Sequence, residues 1–483
     1  MAVDLMEISK SGLMSSSQLL KTTGHNVSNV NTEGYSRQMA RQASSRPVPM
    51  GNVVLGSGSY VKSVGRIHNE FIERKINLAS SDQAFFAERY KQLSVLDEFF
   101  NEINSEGVAQ MMNNFFNSFR ELSAQPENKS LRSLVRDTAV LMIREFHNKT
   151  ELLNDSIEDY NRIFTESISD ANSLMHNIGQ LNVKILELET QNGETGDMRD
   201  ERDLYLRELS TIMETHTYTD EHGHFIVSSP GIGVLVSAAE VRPFNLGYMP
   251  DGEEMKVLYP NSKDVFMEKI QVSDGLKNGK IAAVIKTRKE ELVEIKSELN
   301  ELAFALASIV NSIHEKGYIN ANAPLDEQGN PIDKEKYTGV SFFKIPKNIF
   351  EVAEKIELSD EIKSSSDYIS TASNINKPGD NSVALAISKL SHTKILNGST
   401  KTLEEKYLEM VGKLSLSTSK AKMDMEQNEG LLAQFNAIKQ RISGVSLDEE
   451  TSNLIRFQHA YDASARVMRA AQETMDTVLN IKK

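Results

Sequence analysis

Cysteine is absent from the 483 residues, and tryptophan with it. No disulfide, thiolate metal site or cysteine nucleophile can therefore form. Positive charge is in deficit as well: 54 Lys and Arg face 68 Asp and Glu, a net charge of −14. Phosphate backbones are gripped by basic faces, and none stands out, so nucleic acid is not an expected partner. No apolar run reaches the roughly 18 residues of a membrane-spanning helix, so no membrane partner is expected. The opening residues, MAVDLMEISK, carry Asp4 and Glu7 and have neither a basic nor a strongly apolar region. A secretory signal of the usual type is not expected there, which leaves the cytoplasm or an export route that reads no such signal.

Hydrophobic residues make up 39% and charged residues 25%, enough for sizeable cores in roughly two to four domains. Residues 4–31 read as a helix, because Met6, Leu13, Leu20 and Val27 recur at heptad spacing. The positions between are mostly small or polar, so the stripe is narrow. Asn31-Thr32-Glu33-Gly34 supplies stop chemistry, since Gly accepts the left-handed conformation that ends helices. Residues 35–42 read as extended. Helical spacing resumes near Ile67 and dominates to Ile212, broken lightly at Gly179. From Met213 to about Val272 the alternation of Phe225 with Val227 and Val234 with Val236 predicts strands. Helix returns over 281–314, short strands and loops fill 315–373, and helices cover 382–396 and 403–441.

The last helix, residues 447–481, is the most regular. Leu447, Leu454, Tyr461, Met468 and Met475 share one heptad position. Phe457, Ala471 and Val478 share the complementary one, interrupted by Glu450 and Ser464. Ser446 with Glu449 reads as a capping box. At 1.5 Å per residue the helix spans roughly 50 Å. The fold class is mainly α with a β-rich insert. Each terminal stripe is too narrow for an ordinary core, and one seam cannot offset a backbone ordering cost of about 1–2 kcal/mol per residue. The two ends are therefore expected to pair with each other and with further copies of the chain.

Catalytic patterns are thin. His216, His222 and His224 lie near Asp220 and Glu221, but spacing fixes no third ligand, and DEHGH reads better as a hairpin turn. SPGIG at 229–233 does not open a helix and has no third glycine. Gly-x-Ser-x-Gly does not occur. No enzyme, metal or cofactor is expected.

One segment is more specific. HNVSNVNTEGYSRQ resembles the N-terminal signature of the bacterial flagellar axial proteins, carried here by Asn26, Asn29, Asn31, Thr32, Gly34 and Tyr35. GVSLDEETSNLIRFQHAYDASARVMRAAQETMDTVLNI resembles the ending of the hook-associated members at the hook–filament junction. GDMRDERDLYLRELS, LASIVNSIHEKGY and GDNSVALAISKL resemble internal segments of the same members, in order, so the likeness covers most of the chain outside 213–273 and 318–372. The resemblance implies an inner coiled-coil domain from residues 1–66 and 445–483, the former including an extended connector. It implies a helical middle domain from 67–212 and 274–444, and an outer β-rich domain from 213–273. It further implies an extracellular structural adaptor that leaves the cell unfolded through the flagellar export channel. Its partners would be copies of itself in a ring, the hook subunit, the next hook-associated junction protein, and an export chaperone at the C-terminal helix. The alternatives are another axial component, such as a hook or distal rod protein, and a surface adhesin using the β domain.

Overall fold

The computed structural model describes residues 2–480 apart from 51–52, 102–106, 192, 249–254, 260–269, 272–274, 320–323, 325, 327–331, 333–336, 378, 397 and 399. The chain opens with helix α1 (Ala2–Ser28), then strands β1 (Gln38–Ser44), β2 (Val48–Met50), β3 (Val53–Leu55) and β4 (Ser59–Arg66). Four helices follow: α2 (Glu70–Phe100), α3 (Val108–Ala124), α4 (Lys129–Thr190) and α5 (Gly196–Ile212). Strands β5 (His216–Thr219), β6 (Phe225–Ser229), β7 (Gly233–Ser237), β8 (Glu240–Val241), β9 (Asn245–Tyr248), β10 (Met255–Tyr259) and β11 (Ile270–Gln271) form the insert. Helix α6 (Lys280–Lys286) passes through a π-helical turn, Thr287–Leu292, into α7 (Val293–His314). Short elements β12 (Phe343–Lys344), α8 (Val352–Lys355), β13 (Glu357–Leu358), α9 (Asp360–Ser364) and α10 (Ser382–Lys389) lead to the long helices α11 (Leu403–Ser443) and α12 (Leu447–Asn480).

Two compact units result, one of residues 1–85, 165–282 and 426–483, the other of 86–164 and 283–425. The chain crosses between them four times, each time inside a helix: α2, α4, α6 and α11.

In the first unit, α1 and α12 lie side by side and antiparallel. Ser9 meets Met468, a Cβ on Gly12 would meet Ser464, and Asn26 meets Glu450. β1 and β4 form a twisted antiparallel ribbon from Gln38↔Arg66 to Ser44↔Ser59, with a bulge at Arg41/Gln42. The ribbon rests on α1, where Ser15 Oγ donates to the Ser59 carbonyl at 3.0 Å. Strands β5–β6–β7–β8 make a four-stranded antiparallel sheet. Ile226 and Val227, neighbours in β6, are both buried. The sheet is thus covered on both faces at that point, where the alternation of Phe225 and Val227 predicts only one covered face. Gly179 does not break α4. A Cβ there would stand 2.8 Å from the Val241 Cγ2, so its glycine lets β8 approach an unbroken helix.

In the second unit, Phe115 and Phe119 of α3 meet Phe342, Phe115 also meets Phe343 and its neighbour Phe116, and the ring centroids of this cluster stand 4.8–5.8 Å apart. Around them, buried polar groups hold irregular chain in place. Asn311 accepts from the Phe342 and Phe343 amides, and Asn300 from the Ala353 amide. His314, fully buried, bonds the Val340 carbonyl through Nδ1 at 2.7 Å and accepts the Ser370 amide at Nε2 at 2.8 Å. The helix expected over 382–396 ends at Lys389 in a single 3₁₀ turn. Thr393 Oγ1 takes the Lys389 carbonyl there, a side chain competing for a helical acceptor. The helix expected over 281–314 carries the π-helical turn, which apolar spacing alone does not reveal.

Candidate functional site

Where α1 ends, a knot of buried polar side chains ties it to three other segments of the same unit. Asn29 Nδ2 bonds back to the His25 carbonyl at 3.0 Å, and Thr32 Oγ1 donates to Asn29 Oδ1. Asn31 and Thr32 stay exposed at the tip. Gly34 then turns the chain at φ +80°. A Cβ there would have ordinary room, its nearest neighbour being Leu204 Cβ at 3.6 Å. The backbone conformation, not space, is therefore what demands glycine.

The turn delivers Tyr35, Ser36, Arg37 and Gln38 to the knot. Asn26, 2% exposed, acts as its hub. Its Oδ1 accepts from Tyr35 Oη at 2.7 Å and from the Gln38 amide at 2.9 Å. Its Nδ2 donates to the Gln38 carbonyl at 2.9 Å and to Glu450 Oε2 at 3.1 Å. One asparagine thus satisfies a strand residue on both sides and reaches the C-terminal helix, using its full donor and acceptor set. Arg37 takes the Ser443 carbonyl through its amide. Its guanidinium pairs with Glu449 at 2.6 Å and lies 2.7 Å from Glu450 Oε1. The second contact is electrostatic rather than a well-aligned hydrogen bond, since Glu450 Oε1 has no hydrogen-bond partner. The capping box expected at Ser446 does not take its predicted form: Glu449 faces Arg37, a full charge, rather than turning back to its own helix.

Helix α5 closes the knot from another side. Asp197, Asp200 and Asp203 stand one turn apart. Asp197 accepts from Gln38 Nε2 at 2.7 Å and contacts His25 at 3.2 Å. Asp200 accepts from the Ser36 amide at 2.7 Å and from Arg66 Nη1 at 2.6 Å. Asp203 shares the same Arg66 at 2.7 Å. Burial raises the Asp200 carboxyl above the usual range, although Arg66 and the Ser36 amide pull it down. Burial, then Asp197, Asp200 and Glu450, push the Tyr35 hydroxyl well up, so it remains a proton donor to Asn26.

The heptad residues lie differently from these hubs. Met6, Leu13, Leu20 and Val27 are half-buried, as are Leu454, Phe457, Met468 and Met475. Leu447 and Tyr461 are exposed, and the side chain of Val478 lies outside the described residues. What α1 buries is Ser9, Ser15, Ser16, Thr22, Thr23 and Asn26, and on α12 Glu450 and Ala471. So the residues that interrupt the apolar pattern of α12, Glu450 and Ser464, are those turned to α1. The structure brings Asn26, Gly34 and Tyr35 together and leaves Asn31 and Thr32 at the surface. Arg37, Arg66, Asp197, Asp200, Asp203 and Glu450 are site residues that pattern reading missed. Their signal in the sequence is the three aspartates at intervals of three in GDMRDERD, a polar face repeating with each helical turn. At His222 and His224 the geometry is that of a turn closed by Asp220, whose Oδ1 accepts both amides.

Residues 93–330 match the family model described as the flagellar hook-associated protein FlgK helical domain. Residues 440–481 match the model of the flagellar basal body rod FlgEFG protein C-terminal. The two together cover more than half of the chain and contain Asp197, Asp200, Asp203, Ser443, Glu449 and Glu450. The chain belongs to the flagellar hook-associated protein 1 family. It is 26% identical over 508 residues to flagellar hook-associated protein 1 of Bacillus subtilis, covering 98% of this chain and 97% of that one. To the protein of that name from Salmonella typhimurium it is 22% identical, covering 99% and 100%. The solved flagellar hook junction protein FlgK from Burkholderia pseudomallei has the same fold over 77% of this chain and all of that one, with a TM-score of 0.65 at 14% identity. Hook-associated proteins are structural components of the flagellum, and this chain is not an enzyme.

Proposed function

We propose that the chain is a hook–filament junction adaptor, one ring layer of it built from copies of itself. The observation that carries this reading is the division of labour on α1. Its small polar face closes on α12 through Asn26, Glu450 and Arg37, while its apolar heptad remains half-open in the single chain. Exposed Leu5, Ile8 and Met14 on α1, and Ile455, Tyr461 and Val467 on α12, extend that apolar surface. Covering each Leu, Ile or Met fully contributes roughly 1.5–3 kcal/mol, and a closed ring repeats the gain around its axis.

In this reading residues 1–66 and 445–483 form the inner layer, 67–212 and 274–444 the helical middle, and 213–273 the outer β-rich part. The hook subunit lies on one side and the next hook-associated protein on the other. The chain travels unfolded through the export channel, its α12 segment shielded beforehand by a chaperone that takes an amphipathic helix in a groove. The rod-type C-terminal match would also suit a rod component, but the helical-domain match over 93–330 favours the junction.

Because no native cysteine interferes, Leu13→Cys with Tyr461→Cys tests the ring in purified flagella. Oxidation is expected to give a ladder of covalent multimers. Monomer alone, with both thiols consumed within one chain, would contradict the ring.

A further inference from the structure

We infer that the cavity flanked by β5, β6 and α5 is a binding site for a small oxyanion of the phosphate or carboxylate class. The cavity measures about 320 Å³, the low end of ligand-sized pockets. Arg202, 5% exposed, lines it. Its guanidinium stands over the Phe225 ring, with Cζ 3.6 Å from the ring centroid, and Nη1 donates to Asn182 Oδ1 at 3.1 Å. Its Nε has no partner. No carboxylate among the described residues bonds to it. Asp203 is taken by Arg66 at 2.7 Å, and Glu189 by Arg199 at 2.5 Å. Burial lowers the Arg202 guanidinium to about 10; Asp203 and Glu189 oppose the fall only in part, and Arg199 and Arg66 add to it. Removing a guanidinium from water without an anionic partner is costly, and a ring face returns only part of that cost.

The cavity wall supplies more donors for the missing charge. Arg74 lines it and makes no ion pair among the described residues, and Thr217, Tyr218 and Thr219 bring hydroxyls. Of the acids on the wall, Glu73 is held by Arg207 at 3.4 Å and Lys439 at 2.7 Å, and Asp203 by Arg66. Glu70 opposes the anion, so the ligand must be small and sit toward Arg202.

Calorimetric titration of the full chain with inorganic phosphate, against sodium chloride of equal ionic strength, tests the site. Saturable binding is expected, at least about tenfold weaker in Arg202→Gln, the loss of one charge-assisted bond. Arg74→Gln, an exposed change that leaves folding alone, should weaken it too. A free oxyanion and an acidic side chain of a second copy offer the same oxygens, and sedimentation separates them. Binding by a monomer supports the free anion. Self-association that phosphate competes away and Arg202→Gln abolishes supports the protein carboxylate. Heats equal to the chloride control together with unchanged sedimentation of both variants would overturn the proposal, and would leave the junction reading untouched.

Discussion

Asn26 and Glu450 are the residues on which the terminal helices meet. Glu450 is 2% exposed, and its truncation would leave Arg37 and Asn26 turned toward an empty acceptor. Breaking a buried, hydrogen-bonded charge in this way costs about 3 kcal/mol. Glu450→Ala should therefore lower hydrogen-exchange protection across 2–28 and 447–480 while leaving α3 and α7 protected. Equal protection in both proteins would remove Glu450 from this role. Gly34→Val forces a β-branched residue to φ +80°, at about 1–3 kcal/mol. Swimming on soft agar should fall while the thermal unfolding of the other unit stays put. His314 adds a pH dependence. Burial lowers it to about 4, against about 6.5 unfolded. Between those values the unfolded chain binds more protons, so stability is complete above pH 6.5 and falls as pH drops toward 4, by up to about 3 kcal/mol. Urea midpoints of wild type and His314→Gln, followed from pH 7 to pH 4, should converge on acidification, the wild type losing more.

Helices were legible where a long apolar period ran unbroken. The spacing predicts α12 within a residue or two, ends α7 at His314 and places α2 to α5 inside one helical stretch from Ile67 to Ile212, and Asn31–Gly34 marks the end of α1 by its chemistry. The insert was legible as strands, through alternation and turn clusters. Three things were not. Gly179 reads as a break because glycine weakens helices, whereas its reason lies 62 residues away at Val241. The seam face of α12 reads as defective at Glu450 and Ser464, because a pattern scores polar residues as interruptions when their partners are out of sight. Asp200 reads as one acid among many on α5, since nothing local announces Ser36 and Arg66. In each case the deciding contact is distant in sequence. Gly179→Leu should make the point directly. The side chain would strike Val241, and the overpacking, typically about 1–3 kcal/mol, should outweigh the gain in helix propensity and lower the melting temperature.

At the scale of the molecule, two helical units share four helices, and the first gathers both termini, the connector ribbon and the β sheet. Under the proposed reading, a net charge of −14 makes the unfolded chain repel itself and the lack of cysteine leaves it free of disulfide cross-links, as passage through a narrow channel would require. Under the same reading its apolar terminal surface is covered afterwards, by other copies. These features belong together if the chain joins hook to filament. The most direct measurement is electron microscopy of a strain lacking the chain, with flagellin assayed in the culture medium. Bare hooks and monomeric flagellin in the medium are the predicted result. Full-length filaments on motile cells would contradict the account.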